Sequence, residues 1–550
     1  MKTKELKITN SNFTFKAGKY IKNFLSRYIL YIIVLQISTG LSLFIPFYLS
    51  RCIDNIVNTT WSASSGTYFL TFLLVILVEL FFYIFMQEGN VKLSNKMAFM
   101  IEYDTLGHIK YVPFSVIKKY NDTYLTQRIN NDAVAIGDYY IEKLPYFVSN
   151  ILLMIATYAM VFSINFKIGF LFIGFFGIYV VGYLVSKKIL YRHRNIMVEA
   201  QGNFFAMLSN QIFNILTIKI NSWYEETNRE FAREVAPFFK SSVRFLRVNF
   251  IVSGVNSFMN RILYGCSIII LGIDLLHGNV SLGELATITI YIQILLSKIQ
   301  EASEFGQYRE QYRVAHDRIA ELFQLPIEPN GEMKINTVSS ITTEGIEVSF
   351  GDKIVFSGKN IEFKKGNVYL ITGENGAGKT TFIYTLLGIV EVTSGNIFYN
   401  DKNIDELDIY SLRRSNIAVA RQEPVLQNGT IYENLTYGLE DKKQSLEPKM
   451  QSEGVRELLD FTKRFEKGLD TIITSKNITL SGGEKQKVEI CRILLKNADV
   501  MIFDEPTSAL DAESIACFLQ EIERIKKEHI IMIISHDEKL KKIADEVLAF

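Results

Sequence analysis

The chain contains stretches of apolar sequence too long for the core of a small soluble domain. Candidate membrane spans run over Tyr28–Leu49, Tyr68–Met86, Leu144–Ile164, Ile168–Val185, roughly Phe250–Leu275, and Leu282–Leu296. A helix that crosses the hydrocarbon core needs about 20 mostly apolar residues. Its backbone must satisfy every N–H and C=O internally, so a helix is the form such runs take. Phe, Ile, Leu and Tyr crowd the first 300 or so of the 550 residues, and the rest has the composition of a soluble α/β domain. The formal net charge is +1, so nothing marks the chain as a polycation for nucleic acid.

Charge sets the expected orientation. Lys2, Lys4, Lys7, Lys16, Lys19, Lys22 and Arg27 precede the first span, whereas the segment from Asp54 to Thr67 has neither Lys nor Arg. Long basic segments follow the second span (Lys92, Lys96, Lys110, Lys118, Lys119, Arg128) and the fourth (Lys187, Lys188, Arg192, Arg194, Arg229, Arg233). The short turn around His277 to Val280 is again without Lys or Arg. Both termini and both long segments are therefore expected in the cytoplasm, with the spans continuing beyond the membrane as helices. No short apolar run ending in a small-residue cleavage site follows Met1, so a cleaved signal peptide is not expected. Cys52, Cys266, Cys491 and Cys517 have the spacing of neither a zinc site nor a disulfide framework. A membrane domain over 1–324, a polar linker with two prolines and a glycine over 325–334, and a soluble domain over 335–550 are the expected divisions.

The soluble half carries the chemistry. A buried-strand pattern, Val368 to Thr372, leads into Gly373-Glu374-Asn375-Gly376-Ala377-Gly378-Lys379-Thr380 and then a helix. This is G-x-x-x-x-G-K-[ST] in the strand–loop–helix setting that makes it a phosphate loop. Lys379 is placed for the β- and γ-phosphate oxygens, and the Thr380 hydroxyl for Mg²⁺. A second apolar strand, Val500 to Phe503, ends in Asp504 and Glu505, one carboxylate for the metal shell and one to polarise water. A third, Ile530 to Ile534, is tipped by Ser535-His536-Asp537, with His536 placed for the γ-phosphate. Ser481-Gly482-Gly483 opens an amphipathic helix, a second phosphate-binding layout in the same chain.

By these motifs, taken together, the whole chain resembles an ATP-binding cassette (ABC) exporter half-transporter. The resemblance implies a six-helix transmembrane bundle followed by a P-loop nucleotide-binding domain. GENGAGKT resembles the Walker A motif (Gly373, Asn375, Gly376, Gly378, Lys379, Thr380, with Thr381 following), and VMIFDE the Walker B motif with catalytic Glu505. LSGGE over Leu480 to Glu484 is similar to the family signature, SALD over Ser508 to Asp511 to the D-loop, and Gln422 to the Q-loop glutamine, a Mg²⁺ ligand with Thr380 and Asp504. It implies that ATP sits between the Walker A loop of one chain and Ser481, Gly482 and Gly483 of another. The partner is then a second half-transporter, expected to be an identical chain. Coupling helices are expected near Tyr111–Val116 and Gln211–Ile218.

Some positions depart from the family pattern. Asp352 stands where an adenine-stacking tyrosine is usual, leaving Phe350 or Phe356 as substitutes. Thr474 and Ser475 replace a Gly-Glu pair before the signature. The segment from the histidine to Phe550 is short. Within the spans, Glu79, Asn256, Asn260 and Arg261 are the candidate substrate groups, because ionisable and polar groups in a membrane face a cavity or a partner. Glu79 and Arg261 could instead form a structural pair. The aromatic spans suit an amphipathic cargo. A small, possibly modified peptide or bacteriocin carried across a bacterial plasma membrane is the expectation, with no peptidase domain ahead of the first span. A lipid or multidrug exporter is the alternative, and an importer or an ABC-type channel or sensor a further one.

Overall fold

A computed structural model describes residues 15–58, 63–120, 122–351, 353–439, 450, 452–474 and 480–550. Asp352 and Ser475 lie outside the described residues. The chain divides into two units, one taking residues up to Ile109 and Asp122–Gln324, the other Lys110–Asn121 and Leu325–Phe550.

The first unit is helical. Its principal helices are α1 (Leu25–Leu41), α2 (Phe44–Asn58), α3 (Ala63–Ile109), α4 (Asp122–Asp138), α5 (Leu144–Ile164), α6 (Phe166–Phe213), α7 (Ile215–Asn221), α8 (Tyr224–Leu276) and α9 (Leu282–Phe323). Among the described residues, six helical segments are long and apolar enough to cross a membrane, as the hydropathy pattern requires. Three of the helices are 47, 48 and 53 residues long, so at about 1.5 Å per residue each exceeds the hydrocarbon core of a bilayer, about 30 Å, more than twofold.

Two differences from the sequence reading have local causes. The first span is broken between α1 and α2, just before Pro46, whose ring and missing N–H interrupt the helix ladder. Donors from α9 cover the exposed carbonyls: the Thr287 hydroxyl donates to Pro46 O at 2.9 Å and the Tyr291 hydroxyl to Leu43 O at 2.7 Å. The short helices expected at 111–116 and 211–218 occur as Phe114–Ile117 and as α7. The shift of α7 follows from Asn214, where α6 ends outside helical geometry.

The turns between spans are tied by carboxylates. Asp54 accepts from Gly283 N and the Ser281 hydroxyl, both at 2.8 Å, and so caps α9. Asp274 accepts from Asn165 Nδ2 at 2.8 Å and Lys167 Nζ at 2.7 Å, joining the α5–α6 turn to the end of α8. Each carboxylate gains charge-assisted hydrogen bonds that water would otherwise supply.

The second unit is layered α/β. β1 (Ser340–Phe350), β2 (Lys353–Lys364) and β4 (Ser394–Tyr399) build an antiparallel sheet in the order β2-β1-β4, with the two-residue strand Lys402–Asn403 paired to the free side of β4. The central sheet holds β3 (Val368–Thr372), β5 (Ile417–Ala420), β6 (Val500–Asp504), β7 (Ile530–Ile534) and β8 (Glu546–Ala549). Its order is β8-β3-β7-β6-β5, parallel throughout. All five residues of β7 are buried, as expected for a central strand covered on both faces. Three helices matter to the site: α10 (Lys379–Leu386), α11 (Gly482–Lys496) and α12 (Ala512–Ile525).

Candidate functional site: a phosphate loop and two carboxylates at the strand ends

The strand order brings sequence-distant motifs to one edge. Ile534 of β7 is level with Ile371 of β3 and with Asp504 of β6, and Ala420 of β5 pairs with Phe503. The loops after these four strands therefore leave the same carboxyl-terminal edge, where parallel sheets bind ligands. They carry the phosphate loop, Gln422, Asp504 with Glu505, and His536.

Gly378 closes the phosphate loop at φ +92°, and a Cβ there would lie 2.6 Å from Val355 Cγ1. Only glycine meets both conditions. The Lys379 ammonium is held by Gly373 O at 2.5 Å and Glu374 O at 3.1 Å, and lies 3.3 Å from His536 Nε2. The loop's Asn375 and Gly376 are exposed, and Thr381 is half-buried in the first turn of α10. Together with the α10 N-terminus these groups can bind a polyphosphate.

Thr380 Oγ1 donates to Asp504 Oδ2 at 3.3 Å. Burial pushes the Asp504 carboxyl above the usual carboxylate range, with Thr380 and Lys379 only partly opposing it. Two hard oxygen donors around a desolvated acid fit a divalent cation such as Mg²⁺. Gln422 is exposed just beyond β5.

Glu505 has φ +51°, a left-handed conformation in a residue that is not glycine. Its N–H donates to Ile534 O at 2.9 Å, which fixes the turn to the neighbouring strand. Its carboxylate accepts from the Ser535 hydroxyl at 3.5 Å and lies 4.0 Å from His536 Nε2. Burial raises its proton affinity and His536 works the other way. A carboxylate so placed can act as a general base on water.

The signature segment lies at the start of α11. Ser481 and Glu484 form a reciprocal capping box: Ser481 N donates to Glu484 Oε2 at 2.7 Å, and Glu484 N to Ser481 Oγ at 3.3 Å. A Cβ on Gly483 would meet Ala509 O at 2.5 Å, whereas one on Gly482 would meet nothing within 4 Å. The close approach of the loop at Ala509 thus requires glycine at 483, and Gly482 faces open space. Asp511 caps α12 through Ser514 N at 2.8 Å and receives Lys487 Nζ at 2.9 Å, contacts that hold its carboxyl well below the ordinary range. Within this chain it therefore fixes the loop that leads into α12.

Two contributors escaped the sequence reading. Gln486 is buried and bridges the loop: its Nε2 donates to Glu505 O at 2.8 Å and its Oε1 accepts from Ala509 N at 3.1 Å. Glu489, also buried, lies 3.6 Å from Arg492 on the same helix, and the backbone of Arg421 and Val425, on either side of Gln422, works against the rise that burial gives its carboxyl. Polar residues on the apolar face of an amphipathic helix were the available signal.

The adenine question narrows. Phe356 is 6% exposed and packs against Phe382 and Phe550, with ring centroids 5.8 and 6.2 Å away, so it belongs to the core and cannot stack a base. Phe350 is 54% exposed and stays accessible. In the membrane unit, Glu79 is half-buried, Arg261 is exposed, and no ion pair joins them among the described residues. The helices that carry them, α3 and α8, are not packed neighbours, so the expected structural pair does not form within the chain. Asn256 and Asn260 line a cavity of about 110 Å³ bounded by α6, α8 and α9, and neither Glu79 nor Arg261 reaches it.

Fold and site thus define a membrane helical bundle joined to a P-loop nucleotide-binding domain. The ABC transporter transmembrane-region family model matches residues 28–299, and the ABC transporter family model matches 356–508. The chain belongs to the ABC transporter family and has the exporter-type half-transporter organisation. It is 29% identical to an ATP-dependent lipid A-core flippase of Methylococcus capsulatus over 282 residues, 50% of this chain and 47% of that protein. It is 24% identical to a probable multidrug resistance ABC transporter of Bacillus subtilis over 485 residues, 85% of this chain and 71% of that one. The chain spans about half the length of curated relatives it matches. The solved structure of a bacterial Atm1-family ABC exporter with ATP bound shares the fold, with a TM-score of 0.78 at 19% identity, covering 96% of this chain and 94% of the other.

Proposed function

We propose that this protein hydrolyses ATP to export an amphipathic, lipid-like or drug-like compound across a bacterial plasma membrane, working as a homodimer with its nucleotide domains in the cytoplasm. The observation that carries this reading is the convergence of Lys379, Asp504, Glu505 and His536 at one sheet edge in a chain that also has six membrane-length helices. The flippase and multidrug relatives support a lipid or drug cargo over the peptide expected from sequence.

Glu505 takes the proton from the attacking water, and Ser535 and His536 hold its carboxylate. Lys379 and the α10 N-terminus gather the phosphate charge. Mg²⁺, held by Thr380, Asp504 and Gln422, would neutralise phosphate charge that the protein alone leaves unpaired. Each chain carries one phosphate loop and one Ser481–Gly483 segment, so a complete site needs the segment of a second copy at the open face of Gly482.

Inside-out vesicles with wild-type protein, given ATP and a fluorescent lipid analogue or a fluorescent drug, should accumulate the probe, and Glu505→Gln vesicles should not. Equal filling of the two would overturn the reading. A peptide lost from the medium of a Glu505→Gln strain, with neither probe moved, would restore the peptide alternative.

A further inference from the structure

The cavity in the membrane unit is a built site. Three helices each contribute residues at helical spacing: Phe172, Phe176 and Tyr179 from α6, Asn256 and Asn260 from α8, and Leu296 and Ile299 from α9. At about 1.5 Å per residue these positions lie roughly 10 to 30 Å from the short turns at the ends of the three helices, within the thickness of a hydrocarbon core. The two asparagines are one turn apart, so both amides face the same volume.

Neither amide has a hydrogen-bond partner among the described residues. Other asparagines of this unit are engaged, for example Asn150 to Glu301 at 2.8 Å and Asn165 to Asp274 at 2.8 Å. Both side chains are half-buried and open to an otherwise aromatic and aliphatic chamber, where an amide gains from a ligand that hydrogen-bonds it. No Asp, Glu, Lys, Arg or His lines it.

From this geometry we propose that the cavity binds the neutral hydrogen-bonding part of an amphipathic lipid, a hydroxyl or ester group, with its apolar portion against the aromatic stripe. An uncharged lining disfavours a phosphate or ammonium, which would lose its hydration without gaining a counter-charge. The site rests on the export reading and deepens it, by naming a neutral rather than an anionic lipid as cargo.

The test uses the full chain in phosphatidylcholine nanodiscs with two photoreactive probes, a diazirine diacylglycerol and the matching diazirine phosphatidic acid. Saturable diacylglycerol labelling should map to 172–182 and 256–263 and exceed phosphatidic acid labelling there. Asn256→Leu with Asn260→Leu should weaken that labelling about tenfold, the effect of losing neutral hydrogen bonds in an apolar site. Gly182→Ile, which fills the chamber from α6, should weaken it while leaving the amides in place. Labelling elsewhere, no labelling, equal labelling by the two probes, or labelling indifferent to both variants would each overturn the proposal. Labelling at these peptides without ATP-dependent vesicle filling would instead remove the export reading and leave the site.

Discussion

Glu505 adopts a left-handed backbone that costs an ordinary residue about 1 kcal/mol or more, and its N–H bond to Ile534 holds it there. The turn brings the carboxylate beside Ser535 and His536. Glu505→Gln keeps the shape and removes the proposed base, so ATP turnover should fall by about 10² to 10⁴ while nucleotide binding persists. Single-turnover hydrolysis beside equilibrium binding of labelled ATP separates the two. The pH dependence follows from burial. Glu505 and Asp504 both have raised proton affinity, so activity carried by their ionised forms is lost as pH falls through values above the ordinary carboxylate range of about 4. Because His536 favours the ionised Glu505, His536→Gln should move that acid limb to still higher pH in a kcat/KM profile. A limb that moves downward would count against the assignment.

At the scale of elements, Gln486 joins the signature helix to the catalytic strand. Its side chain spans Glu505 O and Ala509 N, two backbone groups with opposite hydrogen-bonding needs. Gln486→Leu removes one of the donors to Glu505 O, which keeps Ser508, and leaves Ala509 N without its side-chain acceptor, a loss of roughly 1 kcal/mol per hydrogen bond. A lowered Tm, and ATPase lost further than binding, are expected in thermal melts and steady-state assays. Gly483→Ala forces Ala509 away from a 2.5 Å contact, and displacement of the loop by even 1 Å can cost about 10²-fold in rate. The cap on α12 behaves differently. Asp511 stabilises its helix while ionised; its carboxyl is depressed, so this contribution is complete above the ordinary value of about 3.9 and lost only as pH falls through a lower one. Asp511→Ala should therefore destabilise by about 1 kcal/mol at pH 7, the typical worth of an N-cap.

At the scale of the whole molecule, the proposed division of each ATP site between two chains is open to complementation. Lys379→Ala and Ser481→Arg should each abolish ATPase in a homodimer. Co-expressed and purified through two different tags, the mixed dimer retains one intact pairing of phosphate loop and signature. It should recover a substantial fraction of wild-type turnover. Absence of recovery in a verified mixed dimer would show that the signature does not act across the interface.

The amino-acid sequence determined the six spans, because length and hydropathy are local properties that a bilayer reads directly. It also determined the phosphate loop, the paired carboxylates and the histidine, since each motif lies next to the strand that presents it. Tertiary structure decided what depends on groups far apart in sequence. The strand order set Glu505 beside Ser535 and His536, and placed Phe356 in the core rather than at a base. Helix packing kept Glu79 and Arg261 apart, although charge alone made them a plausible pair. It also set Asn256 and Asn260 around one chamber with Phe172. Covalent neighbours fix a residue's local conformation, but which side chains share a volume is settled only by how sheets and helices pack.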